Sequence, residues 1–488
     1  MSQSASLARR VFSGSGQISV ANGLARLVSL LCFPLLSRWL GPAPYGVYSL
    51  AATMVGLAST VGLLGLDMAY ARYYLEAESP DQPAVEAFCW TRAAAAAAFC
   101  AVLATLLWLG LSQRFAVLER ISVAAFLPAA IVLSVLATMA TTRVRLQARY
   151  GRMAAAVAAA AVASALVSLL LAAAGLRGVL PLLLGALSTS ALSLLWLGLP
   201  PLAGQRDAAR RLSPTQRREL MKLGLSCAVT GPLYWLISSS DRWFLALNRS
   251  EADLGIYSIA STLALMGIMV NTAVHLALFP EASRLVTASS SDETVRLARL
   301  WEQLAVVLLV VMLLVGSLGA PLLRLLTAPS FHGGTAYIPW LACGAFFYGL
   351  AGLGNLPFFL AGKMNRVAVL WGFTAGLCLI LNSLLIPRFG GLGAAVAQML
   401  TYLSLSLMTL TAGRSLMALP LRWGRLSLVL LLALAGLAGV VCLPIPNPWL
   451  ALLVNLAASL LLGLALAWLI SPDALDRMLL QVRRVCRP

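Results

Sequence analysis

Charged and amide side chains recur inside stretches that are otherwise apolar, and their spacing sorts them onto faces. Asn22, Arg26 and Ser29 stand at i, i+4 and i+7, a polar stripe along one helical face. Asp67 and Arg72 follow in G-L-D-M-A-Y-A-R-Y-Y (65–74). Asp241 shares a face with Tyr234 and Ser238, with Arg242 beside it, and Asn271 and His275 are again four apart, with Glu281 beyond them. A charge at bilayer depth costs roughly 2.5–3.5 kcal/mol on insertion scales, so it faces a cavity or a partner. Arg26 has two readings: a cation turned toward an anionic ligand, or half of an ion pair with an acid on a neighbouring helix such as Asp67. For Arg72 the competing reading is snorkelling to the interface beside Tyr70, Tyr73 and Tyr74. For Asp241 and Arg242 it is an ion pair with another helix, and for His275 a hydrogen bond made in packing. The residues expected to line a substrate cavity are Asn22, Arg26, Asp67, Arg72, Asp241, Arg242, Asn271 and His275, with Arg26 foremost.

Covalent chemistry has no foothold. There is no H-E-x-x-H and no pair of carboxylates on a loop, and the segments on the outer side are joined by a few residues each. A P-loop needs G-K-[ST], but Lys222 follows Met221 and Lys363 precedes Met364, and these are the only lysines. The eight cysteines are scattered, mostly in apolar runs, with no C-x-x-C pair, which supports neither a disulfide framework nor a zinc site. The expectation is a membrane machine without enzyme activity, cofactor, metal or nucleotide motor.

The elements that must position these residues are membrane helices. The chain has 488 residues, 60% of them hydrophobic and 11% charged, against about 25% charged in a soluble domain. A spanning helix needs about 20 apolar residues. Fourteen such segments lie near 16–40, 46–72, 87–111, 121–144, 153–175, 179–202, 222–247, 255–281, 301–326, 335–361, 366–387, 391–413, 426–444 and 449–470. The first carries Arg26 and Arg38 and reads as a retained helix rather than a cleaved signal. With the N-terminus placed inside, 26 basic residues fall on the cytoplasmic side, in loops or at segment ends, 6 on the outer side, and the remaining 3, Arg26, Arg38 and Arg242, within helices. That asymmetry orients the chain with both termini cytoplasmic. It also accounts for the net charge of +18 without a nucleic-acid partner.

One hairpin is written twice. Arg38-Trp39 closes a segment and Gly46-Val47-Tyr48-Ser49-Leu50-Ala51 opens the next; Arg242-Trp243 and Gly255-Ile256-Tyr257-Ser258-Ile259-Ala260 do the same two hundred residues on. Six segments separate the copies, so both face the same way, as in parallel repeats related by an axis along the membrane normal. The fold expected is an all-α polytopic membrane protein of about 14 transmembrane helices. It divides into an N-terminal six-helix lobe (1–202), a basic cytoplasmic linker (203–221), a C-terminal six-helix lobe (222–417), an accessory helix pair (418–470) and a basic cytoplasmic tail (471–488).

Several stretches together resemble polysaccharide-biosynthesis flippases of the Wzx type, in the multidrug/oligosaccharidyl-lipid/polysaccharide (MOP) exporter superfamily. They are L-S-R-W-L-G-P-A-P-Y-G-V-Y-S-L (36–50), G-L-D-M-A-Y-A-R-Y-Y (65–74), S-S-S-D-R-W-F-L (238–245), D-L-G-I-Y-S-I-A (253–260), L-F-P-E-A-S-R-L (278–285) and L-I-P-R-F-G-G-L-G-A-A (385–395), in the family's order. The resemblance implies a MATE-like V of two lobes around a cationic cavity. It implies a cargo, a polyprenyl-diphosphate-linked oligosaccharide, turned from the cytoplasmic to the periplasmic leaflet of a bacterial inner membrane for O-antigen, capsule or exopolysaccharide assembly. Partners are then the lipid-linked oligosaccharide, membrane lipids, and a polysaccharide polymerase or glycosyltransferases. Within the superfamily a cation-coupled multidrug exporter and a peptidoglycan-precursor flippase are the alternatives, and a membrane enzyme acting on lipid-linked sugar is a third.

Overall fold

The computed structural model describes residues 17, 20–25, 27–28, 31–76, 82–114, 117–199, 211–228, 230–264, 266–271, 274–275, 278, 282, 291–417 and 419–470. Among them the chain is helical, with no strand. Among the described residues, eleven helices are long and apolar enough to cross a membrane. A twelfth span is the pair α2 (Pro42–Gly62) and α3 (Leu66–Glu76), bent by 43°. Leu31–Leu40, α1, is a further apolar helix, and the 51-residue run Met364–Arg414 is two spans merged across a kink at Gly390, where φ is 57°. The protein is therefore an all-α membrane protein of about fourteen spans. The chain divides into two compact units, Met1–Trp235 and Leu236–Pro488.

The first unit adds α4 (Gln82–Leu111), α5 (Val117–Leu146), α6 (Tyr150–Ala173), α7 (Leu180–Leu197), α8 (Pro214–Ala228) and the opening of α9 (Thr230–Asn248). In α4, Ala93, Ala97, Ala101, Ala104 and Trp108 are buried at helical spacing while Phe99, Val102 and Leu106 point outward, as a helix half in protein and half in lipid requires. Lipid is as apolar as leucine, so helices associate through close approach of small residues and through polar contacts. A Cβ at Gly62 of α2 would lie 3.1 Å from the Ala97 backbone, a seam open only to small residues. The break between α2 and α3 puts Leu64 at φ 51° and Gly65 at φ 62°. Gly65 is pressed on α8: a Cβ there would sit 2.2 Å from the Gly224 carbonyl oxygen. α8 opens with a capping box ahead of Pro214: the Ser213 hydroxyl accepts from the Gln216 backbone N–H at 3.2 Å, and the Ser213 N–H donates to the Gln216 side chain at 2.9 Å. That helix begins inside the stretch read as a linker. Because it packs on α3, residues 214–235 join the first unit.

The second unit continues α9 and adds α10 (Glu251–Ala264), α11 (Ser291–Leu326), α12 (Ile338–Gly354), α13 (Leu356–Leu360), α14 (Met364–Arg414), α15 (Trp423–Val441) and α16 (Pro448–Ile470). α14 packs on α12, and the last two helices pack on α11. Polar groups fasten that last pair. The Ser317 and Ser459 hydroxyls meet at 2.7 Å, and the Asn455 amide donates to the Ser317 carbonyl at 2.8 Å. Buried Glu302 receives Arg422 through Nη2 at 2.6 Å and Nε at 3.1 Å, while the Arg422 backbone N–H donates to Glu302 Oε1 at 2.9 Å. Hydrogen bonding to Glu302 raises the Arg422 pKa above its ordinary value.

Candidate functional site

The first unit holds a groove of about 510 Å³ lined from α1, α2, α6, α7 and the helical turn carrying Asn22. Phe33 and Tyr45 stack at 6.1 Å between centroids along one wall. Asn22, of the residues expected at a substrate cavity, is exposed and lines this groove. Arg26, on the same turn sequence, lies outside the described residues.

Asp67 and Arg72 are carried by α3. Asp67 falls in its first turn, where a carboxylate complements the positive end of the helix dipole, and is half-buried without a hydrogen bond or ion pair among the described residues. Arg72 is exposed, with its guanidinium 6.0 Å from the Tyr73 ring centroid. Neither lines the groove.

The second unit ties its polar residues together. Asp241 is 3% exposed. Its carboxylate accepts a hydrogen bond from the fully buried Tyr257 hydroxyl and another, 2.8 Å, from the Arg242 backbone N–H. The Arg242 side chain turns the same way: Nη1 lies 3.6 Å from Asp241 Oδ1 and donates to the Ser238 carbonyl at 3.2 Å, and Nη2 donates to the Ser261 hydroxyl at 2.9 Å. A layer of amide and hydroxyl groups adjoins them. Gln398 Oε1 is 3.5 Å from the Tyr257 hydroxyl, and the Asn382 amide donates to the Ser240 hydroxyl at 3.1 Å. The partner of Arg242 is thus its own chain neighbour, with the other helix supplying a hydroxyl.

Asn271 and His275 do something different: they fasten their helix to α12. The Asn271 amide donates to the Ala345 carbonyl at 2.9 Å, and His275 Nε2 lies 3.3 Å from the Gly349 carbonyl oxygen. Glycines on α12 make room for both. A Cβ at Gly349 would lie 2.7 Å from Asn271 Oδ1, and one at Gly352 would lie 2.0 Å from the His275 ring. Glu281 lies outside the described residues.

Sequence reasoning passed over the hydroxyls of the groove. Ser164 and Ser168 on α6, and Thr189 and Ser193 on α7, are each four apart and line it. Paired hydroxyls at one-turn spacing in runs of alanine and leucine are the signal that marks them. It also passed over Glu302, whose partner lies 120 residues away in the chain.

A model of the family described as "Polysaccharide biosynthesis protein" matches residues 35–331, more than half of the chain. No curated protein matches the sequence. Among solved structures, the lipid II flippase MurJ in an inward closed conformation aligns with a TM-score of 0.72 at 12% identity, covering 94% of this chain and 99% of that one. An inward-facing multidrug resistance MATE family transporter of the MOP superfamily aligns at 0.59 and 15% identity, covering 80% and 94%. A MATE transporter of Vibrio cholerae, VcmN, aligns at 0.54 and 14% identity, covering 85% and 98%. The sequence motifs, the helix count and these likenesses agree: the chain belongs to the family of polysaccharide biosynthesis proteins and has the fold of the MOP exporter superfamily.

Proposed function

We propose that the protein is a flippase that turns a polyprenyl-diphosphate-linked oligosaccharide from the cytoplasmic to the periplasmic leaflet of a bacterial inner membrane, for assembly of O-antigen, capsule or exopolysaccharide. The observation that carries this reading is the pairing of a polysaccharide-biosynthesis family match with a fold aligned over 94% of the chain to a lipid II flippase. The absence of a P-loop from the sequence fits a carrier driven by an ion gradient, the membrane potential or product removal. The diphosphate is costly to move through a low-dielectric region unless guanidinium groups compensate it. Arg26 is the cation assigned to that task, with Asn22, Asp67 and Arg72 along the same half of the chain. Asp241, Arg242, Asn271 and His275 shape the second half through the bonds already described, rather than by holding cargo. A polysaccharide polymerase and glycosyltransferases act before and after this step as partners. Arg26→Ala is expected to abolish surface polysaccharide at unchanged protein level; normal polymer output from that variant removes the cationic role.

The likeness to MurJ favours one second reading, a flippase of peptidoglycan precursor. Rescue of growth in cells depleted of their lipid II flippase would establish it, and failure of rescue with intact polysaccharide output would exclude it.

A further inference from the structure

Among the described residues, two that are not glycine have positive φ. Ala148 stands in the turn between α5 and α6, but Leu64 lies inside the span formed by α2 and α3. A leucine at φ 51° sets its Cβ against the following carbonyl, a conformation that persists only where the surroundings enforce it. The chain turns tightly there: the Leu64 N–H donates to the Val61 carbonyl at 3.0 Å and the Leu66 N–H to the Leu63 carbonyl at 2.8 Å, each three residues back. Irregular backbone at membrane depth is tolerated only where protein or a cavity covers it.

The cover is α8 and the opening of α9, laid antiparallel along the break. Trp235 Nε1 donates to the Thr53 carbonyl at 2.7 Å, Gly231 is pressed on the Thr60 side chain, and Gly224 meets Gly65. A Cβ at Gly224 would lie 2.8 Å from the Leu64 carbonyl oxygen, and one at Gly65 would overlap the Gly224 carbonyl oxygen. Each glycine thus turns a Cα hydrogen toward a carbonyl of the other segment, a weak contact that forms and parts at little cost. Leu220 of α8 completes the seat, buried in one cluster with Leu66, Ala69 and Tyr70. The bent form is therefore opposed by strain at Leu64 and favoured by α8, two terms of opposite sign at one joint. Two-state hinges are built from a few residues that absorb such a backbone change. α9 then carries the chain out of this unit, crossing at Trp235–Leu236.

We propose that Leu64–Gly65 is a hinge between a bent and a straighter form of α2–α3, and that α8 is both its latch and its lever, moving with α3. The proposal needs no particular cargo, so it stands or falls apart from the flippase reading. The test uses the full-length protein in lipid nanodiscs, with spin labels carried on unnatural amino acids so that the native cysteines stay. One pair, Arg72 on α3 and Ala155 on α6, reports the bend; a second, Glu219 on α8 and Ala155, reports the latch. Wild type is expected to show two distances for the first pair, one of them matching the bent structure. Leu64→Gly removes the strain and is expected to raise the ratio of bent to straighter form about tenfold. Gly224→Ala drives a methyl toward the Leu64 carbonyl and is expected to lower that ratio by a similar factor. The second pair is expected to shift in step with the first. A single wild-type distance overturns the proposal, and so does a shift of both variants in the same direction. Movement of the first pair with the second unchanged removes the role of α8 and overturns it too. Should Gly224→Ala fail to fold, Leu64→Gly alone must raise the bent share, and an unchanged distribution sinks the hinge.

Discussion

The two copies of the hairpin start from nearly the same residues and end in different environments. In the second, Tyr257 is fully buried and gives its hydroxyl to Asp241, while Arg242 folds against Asp241 and Ser261. In the first, the position of Asp241 is held by Ser37, whose hydroxyl donates to the Pro34 carbonyl at 3.4 Å, and Arg38 is exposed. Tyr48, the counterpart of Tyr257, borders the groove instead. One acid thus separates a hairpin whose tyrosine is buried on a carboxylate from one whose tyrosine lines a groove. A buried carboxylate demands donors, and the second unit supplies them from its own helices.

Breaking the locked copy gives the largest effect. Asp241→Ala leaves Arg242 and Tyr257 without their buried partner and is expected to cost about 3–5 kcal/mol, read as loss of folded yield or as denaturant unfolding in detergent. Ser37→Ala, the matching change in the first copy, is expected to cost about 1 kcal/mol or less. Equal losses would dissolve the contrast between the copies. Gly352→Ala drives a methyl into the His275 ring and is expected to cost about 1–3 kcal/mol. Adding His275→Ala relieves the clash, and recovery in the double variant would confirm that His275 packs against α12. The smallest effect sharpens the comparison most: Tyr257→Phe is expected to lower stability by about 1–3 kcal/mol, and Tyr48→Phe by less than about 0.5 kcal/mol.

Much of this architecture is legible in the sequence, for physical reasons. Hydropathy alone marks the spans because lipid tolerates no unpaired backbone, and the run Pro387-Arg388-Phe389-Gly390-Gly391 announces the kink that splits α14. The hairpin repeat is equally visible. The bend between α2 and α3 is not, since 46–72 reads as one apolar segment; it depends on Gly65 meeting Gly224, which lies some 160 residues along. The start of α8 was available in the capping box Ser213-Pro214-Thr215-Gln216 but is masked by the polar composition around it. For the candidate site, sequence picks out charges because charges are rare in lipid. It does not tell a charge consumed internally, such as Asp241, from a polar group that lines a groove, such as Ser193. That distinction belongs to helix packing.

The central claim is movement of a lipid-linked oligosaccharide between leaflets, and a vesicle assay tests it most directly. Purified protein is reconstituted into vesicles carrying the lipid-linked oligosaccharide in both leaflets, and a membrane-impermeant glycan-modifying reagent is added outside. The account predicts that the reagent reaches nearly all of the glycan when the protein is present and only the outer-leaflet share when it is absent, with the mass of the lipid-linked glycan unchanged before the reagent acts. Equal access in the two kinds of vesicle would contradict it.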